Sequence, residues 1–449
     1  MSTTPPPPQK TIVIIGGGII GCTSAYFLTH HPSYSPRTHK VILLEAGKIA
    51  GGASGKAGGL LALWAYPSSI VPLSYRLHAE LAERYGGAER WGYRAVHCAQ
   101  VDCTGRALGE GNAGGRSVRG KDGDMDGRAG AGGAVVKEKE SVSLQKRSKD
   151  AMAKLRTAGV PAELDWLSAE SLRLYDEMGD PRTTAQVHPF QFTTAMAELA
   201  TAAGADIKPG ARVTRIGYSD DGAAVRSVTY ADAASGRSET IAATDVVIAA
   251  GPWSRSVYPR APISALRAHS VTIRPSREVS AYALFTQIKL PAGFGQRTDE
   301  SRRKGGGRGW KAGRGEQIVT PEIYARPGNE VYACGEGDHL VALPESTDLV
   351  QVDESRCQDI VDYVCSISDE LRDGEVTARQ ACYLPNVDAS GSGGPLIGET
   401  GVKGLLMAAG HTCWGIQNGP ATGKLISEFV FDGKAKSAKV QGLDPRLVL

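Results

Sequence analysis

Residues 11 to 45 run in the order strand, glycine turn, helix, strand, acid, and that order leaves few folds open. Thr11-Ile-Val-Ile-Ile15 is β-branched at every position, the composition of a strand buried in a parallel sheet. Gly16-x-Gly18-x-x-Gly21 follows. Cys22 to Thr29 then reads as a helix stopped by His30, His31 and Pro32. A second strand, Val41-Ile-Leu-Leu44, ends at Glu45. This is a βαβ unit. The glycines have separate physical tasks: one makes a tight turn, one lets backbone approach a pyrophosphate, and one lets helix and strand pack closely. The helix N-terminus adds unpaired N–H groups and a partial positive charge. Glu45 stands where a carboxylate can accept from both ribose hydroxyls, and its charge argues against a 2′-phosphorylated dinucleotide. A lone glycine pattern recurs by chance, but the ordered set points to dinucleotide binding.

The rest of the chain interleaves strands and helices. Asp206 to Thr229 reads as strands, Asp245 to Ala250 as a buried strand and Ser355 to Asp369 as a helix. Gly404 to Ala409 reads as a last strand and Ala421 to Asp432 as a last helix. The class is therefore α/β. Two stretches break the pattern. Cys103 to Ala134 has eleven glycines and no Ile, Phe, Tyr or Trp, too little apolar surface to offset the entropy of ordering. Asp299 to Gly315 is rich in Gly, Arg and Lys. Both are expected as disordered insertions.

Charge narrows the function classes. The net charge is +3, yet Asp299 to Gly315 carries six Arg/Lys against two acids, which leaves the remainder at −1. The basicity belongs to one loop, and no nucleic-acid partner is expected. That loop, most simply a solvated insertion, could dock an anionic partner through residues 302–314. No apolar run reaches the length of a membrane span. The polar, Pro-rich Met1 to Lys10 lacks a secretory apolar segment, and Arg446-Leu-Val-Leu449 is no peroxisomal address. The eight cysteines form no C-x-x-C pair or framework, so reduced thiols and a cytoplasmic location are expected. His30, His31, His97 and His188 lack partners at ligand spacing, and no metal site is expected.

Further motifs recur along the chain. Gly51-Gly-Ala-Ser-Gly-Lys-Ala-Gly-Gly59 is either a linker or a loop whose backbone passes close to a ring or diphosphate. Ala211-Arg-Val-Thr-Arg215 precedes Thr244-Asp-Val-Val-Ile-Ala-Ala-Gly-Pro-Trp-Ser254, a strand running into a glycine turn. Gly394-Pro-Leu-Ile-Gly398 precedes Leu405-Leu-Met-Ala-Ala-Gly-His-Thr-Cys-Trp-Gly-Ile416 and Gly419-Pro-Ala-Thr-Gly-Lys424. In this order the set resembles the D-amino-acid oxidase family of FAD-dependent oxidoreductases, which includes glycine, sarcosine and fructosyl-amino-acid oxidases. The tail looks closest to poorly characterised fungal members.

The resemblance implies FAD on a Rossmann-like domain built from discontinuous segments (10–97, 186–255 and 376–434). A mixed-sheet α+β substrate domain (135–185 and 256–375) would cap the flavin. Gly16, Gly18, Ile19, Ile20 and Gly21 would hold the pyrophosphate, and Glu45 with Ala46 the adenosine ribose. Ala53, Ser54, Gly55 and Gly58 would meet diphosphate and flavin. Val213 would meet the adenine, and Ala250, Gly251 and Trp253 form the second cofactor turn. Gly410, His411, Cys413, Trp414, Gly415 and Ile416 would line the pyrimidine end of the isoalloxazine, where the last helix's N-terminus could offset developing negative charge.

Departures from the family bear on chemistry. D-amino-acid oxidases clamp the substrate carboxylate with an arginine; in Arg379-Gln-Ala-Cys-Tyr-Leu-Pro385 its place is taken by Leu384, unless Arg379, Arg274 or Arg326 substitutes. Sarcosine and fructosyl-amino-acid oxidases attach flavin through a cysteine in this stretch. Cys382 falls at or within one residue of it, and is otherwise a small core side chain. Lys56 is the nearest substitute for the lysine that assists oxygen activation. His411 could face the flavin or cap its turn. The implied reaction is hydride removal from a C–N bond of an amino acid or related amine, giving an imine, with O2 reduced to H2O2. Such chemistry needs positioning more than acid–base groups. A dehydrogenase with another acceptor, or a trafficking or scaffold protein retaining FAD, stays open at this point.

Overall fold

The structure, a computed structural model, describes residues 10–108, 159–294, 316–389 and 394–449. Residues 109–134 and 299–315 of the expected insertions, and with them the basic 302–314 segment, lie outside the described residues.

Lys10–Ile15 is central in a six-stranded sheet because Ile12, Val13 and Ile14 can be buried on both faces at once. His39–Glu45 and then Ala205–Pro209 lie on one side; Asp245–Ile248, Leu405–Ala409 and the edge strand Leu396–Glu399 lie on the other. All neighbours are parallel except the last pair. The first helix, Ile19–Thr29, is buried almost throughout its length. It is buried because the helices Pro189–Ala202 and Gly415–Asp432 both pack on it. The last helix approaches backbone to backbone: a Cβ at Gly423 would sit 2.5 Å from the Thr23 carbonyl carbon, and Thr23 Oγ1 donates to the Gly419 carbonyl at 2.9 Å. On the opposite face of the sheet lies an antiparallel meander of Ala211–Tyr218, Val225–Asp232 and Ser238–Ala242.

A second, larger sheet runs in the order Glu375–Val387, Ile263–Arg274, Glu330–Cys334, Glu322–Arg326, Tyr282–Leu290, His97–Thr104, Leu172–Gly179, with Gln317–Val319 added on Tyr282–Leu290. One face carries Val271 and Ile323, which join Ile360 of the helix Glu354–Cys365 in a separate core. The other faces the six-stranded module.

Some boundaries differ from those the sequence suggests. Cys103 and Thr104 are not loose: they complete a strand, Cys103 is buried, and Gly105 donates to the Lys289 carbonyl. Glu375–Val387, expected to rejoin the FAD-binding segments, pairs with Ile263–Arg274 along its length and belongs to the large sheet. The last helix starts at Gly415, six residues before Ala421, and the first at Ile19 rather than Cys22. In both, glycines at the helix start mask its beginning. Among the described residues, no helix is long and apolar enough to cross a membrane. All eight cysteines are free thiols.

Candidate active site

Gly16 turns the chain at φ +113°, a conformation open to glycine, immediately after the first strand. Gly21 then packs so tightly that an added Cβ would meet the Gly16 carbonyl oxygen at 1.9 Å. The helix begins at the wall of a cavity of about 500 Å³. Of its first N–H groups, Ile19 N–H donates to Ser54 Oγ at 2.9 Å. Those of Gly18, Ile20 and Gly21 find no acceptor among the described residues. Glu45 closes the second strand with each carboxylate oxygen held: Oε2 accepts from Gly17 N–H at 2.6 Å and Oε1 from Gly47 N–H at 2.8 Å. Burial pushes its carboxyl upward, while these two backbone donors pull it down. A carboxylate has further lone pairs for ribose hydroxyls.

The cavity runs from this turn to the start of the last helix, so two helix N-termini open on it. Of the residues singled out above, Gly16, Gly18, Ile19, Ile20, Glu45, Ala46, Ala53, Ser54, Val213, Ala250, Gly251, Trp253, His411, Cys413, Gly415 and Ile416 line it. Gly251 has φ +52° and nothing within 4 Å of the Cβ it lacks. His411 is fully buried, and burial lowers its pKa to about 3; Nε2 lies 3.0 Å from Thr422 Oγ1. It is therefore a neutral imidazole that also fixes the turn before the last helix.

Others fall outside the lining. Gly21, Gly55, Gly58 and Gly410 act in packing: their absent Cβ positions meet Gly16, Ala50, Tyr324 and Val387. Trp414 stacks edge-on with Trp64 and Tyr66. Lys56 Nζ donates to the Ala381 carbonyl at 2.9 Å, and burial lowers its pKa. Cys382 is buried beside it, its thiol raised by burial to about 11. None of the three candidate anchors offers a free guanidinium to the cavity. Arg274 pairs with Glu375 at the surface and Arg379 with Gln358, while Arg326 is bound to Glu330 and the Ala57 carbonyl.

One lining segment carries no sequence signal of its own. Leu343 to Thr347 is a strap from the large-sheet module across the cavity. Trp253 Nε1 donates to the Pro344 carbonyl at 2.6 Å, and Tyr383 OH to the Val341 carbonyl at 2.9 Å. A buried pair, Arg267 Nη2 to Asp338 at 3.1 Å, fastens the strap's start. Thr347 Oγ1 is buried on this wall with no hydrogen-bond partner among the described residues.

An orphaned hydroxyl, unpaired helix N–H groups and a glycine cradle together fit a dinucleotide. A family model described as DAO, FAD dependent oxidoreductase, matches residues 11–429. The chain belongs to this family. It is similar to TDA3 of Saccharomyces cerevisiae, 35% identical with 96% of this chain and 93% of that protein covered. It is also similar to C1F5.03c of Schizosaccharomyces pombe, 31% identical over 95% of each. Glycine oxidase from Geobacillus kaustophilus shares the fold: TM-score 0.62 at 19% identity, covering 97% of this chain and 98% of that one. The cavity of this FAD-dependent enzyme lies between a parallel sheet and a large mixed one.

Proposed function

We propose that this oxidoreductase oxidises a C–N bond of an amine or amino acid to an imine, with O2 as acceptor. The observation that carries the reading is the double construction of the cavity. Its far end is built by Gly16, Glu45 and Ser54 of the dinucleotide module, its near end by His411, Cys413, Leu384 and Pro385, two of which come from the large sheet. FAD, when bound, supplies a two-electron acceptor. On the substrate, hydride leaves carbon as the nitrogen lone pair closes the C=N bond; water then converts the imine to carbonyl product and released amine. The two electrons, with two protons, reduce O2 to H2O2.

The chain's part is positional. Gly18 and Ile20 would offer N–H groups to the diphosphate, Glu45 would accept from the ribose, and Thr347 would donate into the same wall. His411, held neutral, contributes shape and a dipole, not a proton. The described residues that line the near end include no acid–base pair, so a reaction needing few proton transfers fits better than one needing many. Cytoplasmic action is proposed from the free cysteines.

Anaerobic mixing with panels of primary amines, secondary amines and amino acids tests the reading. A substrate should bleach the flavin band, and admitted oxygen should restore it with H2O2 formed. Bleaching by no C–N compound overturns the proposal; bleaching without peroxide on reoxidation assigns the electrons to another acceptor.

A further inference from the structure

The large sheet turns a second feature toward the site. Glu322 stands in register with Phe285 on one neighbouring strand and Cys334 on the other, and Tyr324 with Tyr332. Residues in register share a face, so these side chains form one cluster. Glu322 Oε2 accepts from the Tyr324 hydroxyl and from Cys334 Sγ, the latter at 3.8 Å. Opposite them, Trp64 meets Phe285 and Trp414 edge-on, with ring centroids 5.9 and 5.5 Å apart. Trp64 is 38% exposed. Glu322, Phe285, Cys334 and Trp414 are only partly buried. The rings are therefore not closed over Glu322, and the opening they leave beside the buried Tyr324 and Tyr332 is the candidate recess. It adjoins the cofactor cavity at Cys413, which lines that cavity and whose thiol is pushed up by burial and then by the charge of Glu322.

The charge balance of this recess is unusual for an amino-acid site. Among the described residues, Lys56 and Arg326 are brought against this face, and both are engaged. Lys56 is bound to the Ala381 carbonyl. Arg326 is held by the Ala57 carbonyl and by Glu330 at 2.7 Å, with its guanidinium 4.8 Å over the Tyr332 ring. A substrate carboxylate here would meet a carboxyl group and neither of these cations. An ammonium would meet the Glu322 carboxyl, which burial pushes upward and the Tyr324 and Cys334 hydrogen bonds pull down, together with several aromatic rings, and each of these groups can attract positive charge.

We propose that this recess receives the cationic nitrogen of an amine lacking an α-carboxylate, with Glu322 as its acceptor and Trp64, Phe285 and Tyr324 as its walls. The assignment rests on the C–N oxidation reading above and names its substrate class.

The test uses the FAD-loaded protein titrated with benzyltrimethylammonium and, separately, with benzoate, read by flavin absorbance and tryptophan fluorescence. The cation should bind and benzoate should not. Glu322→Gln should weaken the cation by about tenfold or more at unchanged FAD content. Trp64→Leu, at the exposed rim, should weaken it by a few fold, which keeps the test open if the Gln variant does not fold. Benzoate binding more tightly than the cation, no binding of the cation, or unchanged affinity in both variants would overturn the assignment. Failure of the C–N reading shows differently: the cation still binds, but no amine bleaches the flavin.

Discussion

Gly21→Ala puts the dinucleotide turn under a single, calculable strain. The new methyl would lie 1.9 Å from the Gly16 carbonyl oxygen, where ordinary contact starts at 3.4 Å. The first helix must then retreat by about 1.5 Å through a closely packed interior. Retreat toward the last helix is blocked, since Thr23 Oγ1 already donates to the Gly419 carbonyl at 2.9 Å. Overpacking of this kind costs about 1–3 kcal/mol, and the upper end applies because both partners are backbone. At roughly 2–4 °C per kcal/mol for a domain of 150–250 residues, the melting temperature should fall by several degrees. The same shift carries the N–H groups of Gly18 and Ile20 off their positions, and each charge-assisted hydrogen bond lost to a diphosphate is worth roughly tenfold in affinity. The assay is FAD content after gel filtration, together with thermal unfolding, against Gly442→Ala, whose Cβ would meet nothing within 4 Å. Equal FAD content and equal melting temperatures in the two variants would refute the steric argument.

Glu45→Gln exchanges one acceptor for an NH2 that must face Gly17 N–H or Gly47 N–H. A loss of about 1–3 kcal/mol and depleted FAD are expected, and full retention of FAD would count against the role of Glu45. His411 titrates at about 3 when folded and near 6.5 when unfolded. The unfolded chain therefore binds the extra proton between these values. Its contribution to stability is complete above pH 6.5 and is lost as pH falls toward 3. His411→Gln should flatten the acid limb of a stability-against-pH curve, and an unchanged limb would remove His411 from the account. Lys56→Met should slow reoxidation by O2 with little effect on flavin reduction; equal oxidation rates dispose of the role given to Lys56. Cys382, its thiol raised by burial to about 11, is held protonated and should carry no flavin. Acid precipitation should leave the yellow colour in the supernatant, and colour in the pellet that is lost in Cys382→Ala would reverse this.

The cofactor half of the site was legible because its geometry is local. A β-branched strand, three glycines at fixed spacing and an acid at the next strand's end specify Gly16, Gly18 and Glu45 within 35 residues of chain, and all three line the cavity. Glycine reads ambiguously, however. Gly55, Gly58 and Gly410 answer to packing against Ala50, Tyr324 and Val387, because a missing Cβ makes room for protein as readily as for a ligand. The same ambiguity hid six residues of the last helix, where Gly415 and Gly419 read as turn.

The proposed substrate half was illegible for the opposite reason: its chemistry exists only in register. Glu322 carries no motif, and it becomes a candidate acceptor when pairing sets it beside Cys334 and Phe285, 12 and 37 residues away. A one-residue slip of Glu322–Arg326 would turn Glu322 and Tyr324 to the opposite face and bring Ile323 out of its core, so the burial of Ile323 helps fix the register. Arg379 and Arg274 illustrate the converse. They are the right residue type near the right stretch, yet they face Gln358 and Glu375 outside the cavity. Within a family that shares a cofactor cradle, specificity of this kind can change by single substitutions on the large sheet without disturbing the fold beneath. Reversing the charge at position 322 should therefore shift ligand preference while leaving FAD content intact. Glu322→Arg is expected to bind benzoate and release benzyltrimethylammonium, and a variant that retains FAD but binds neither would show that the recess reads shape, not charge.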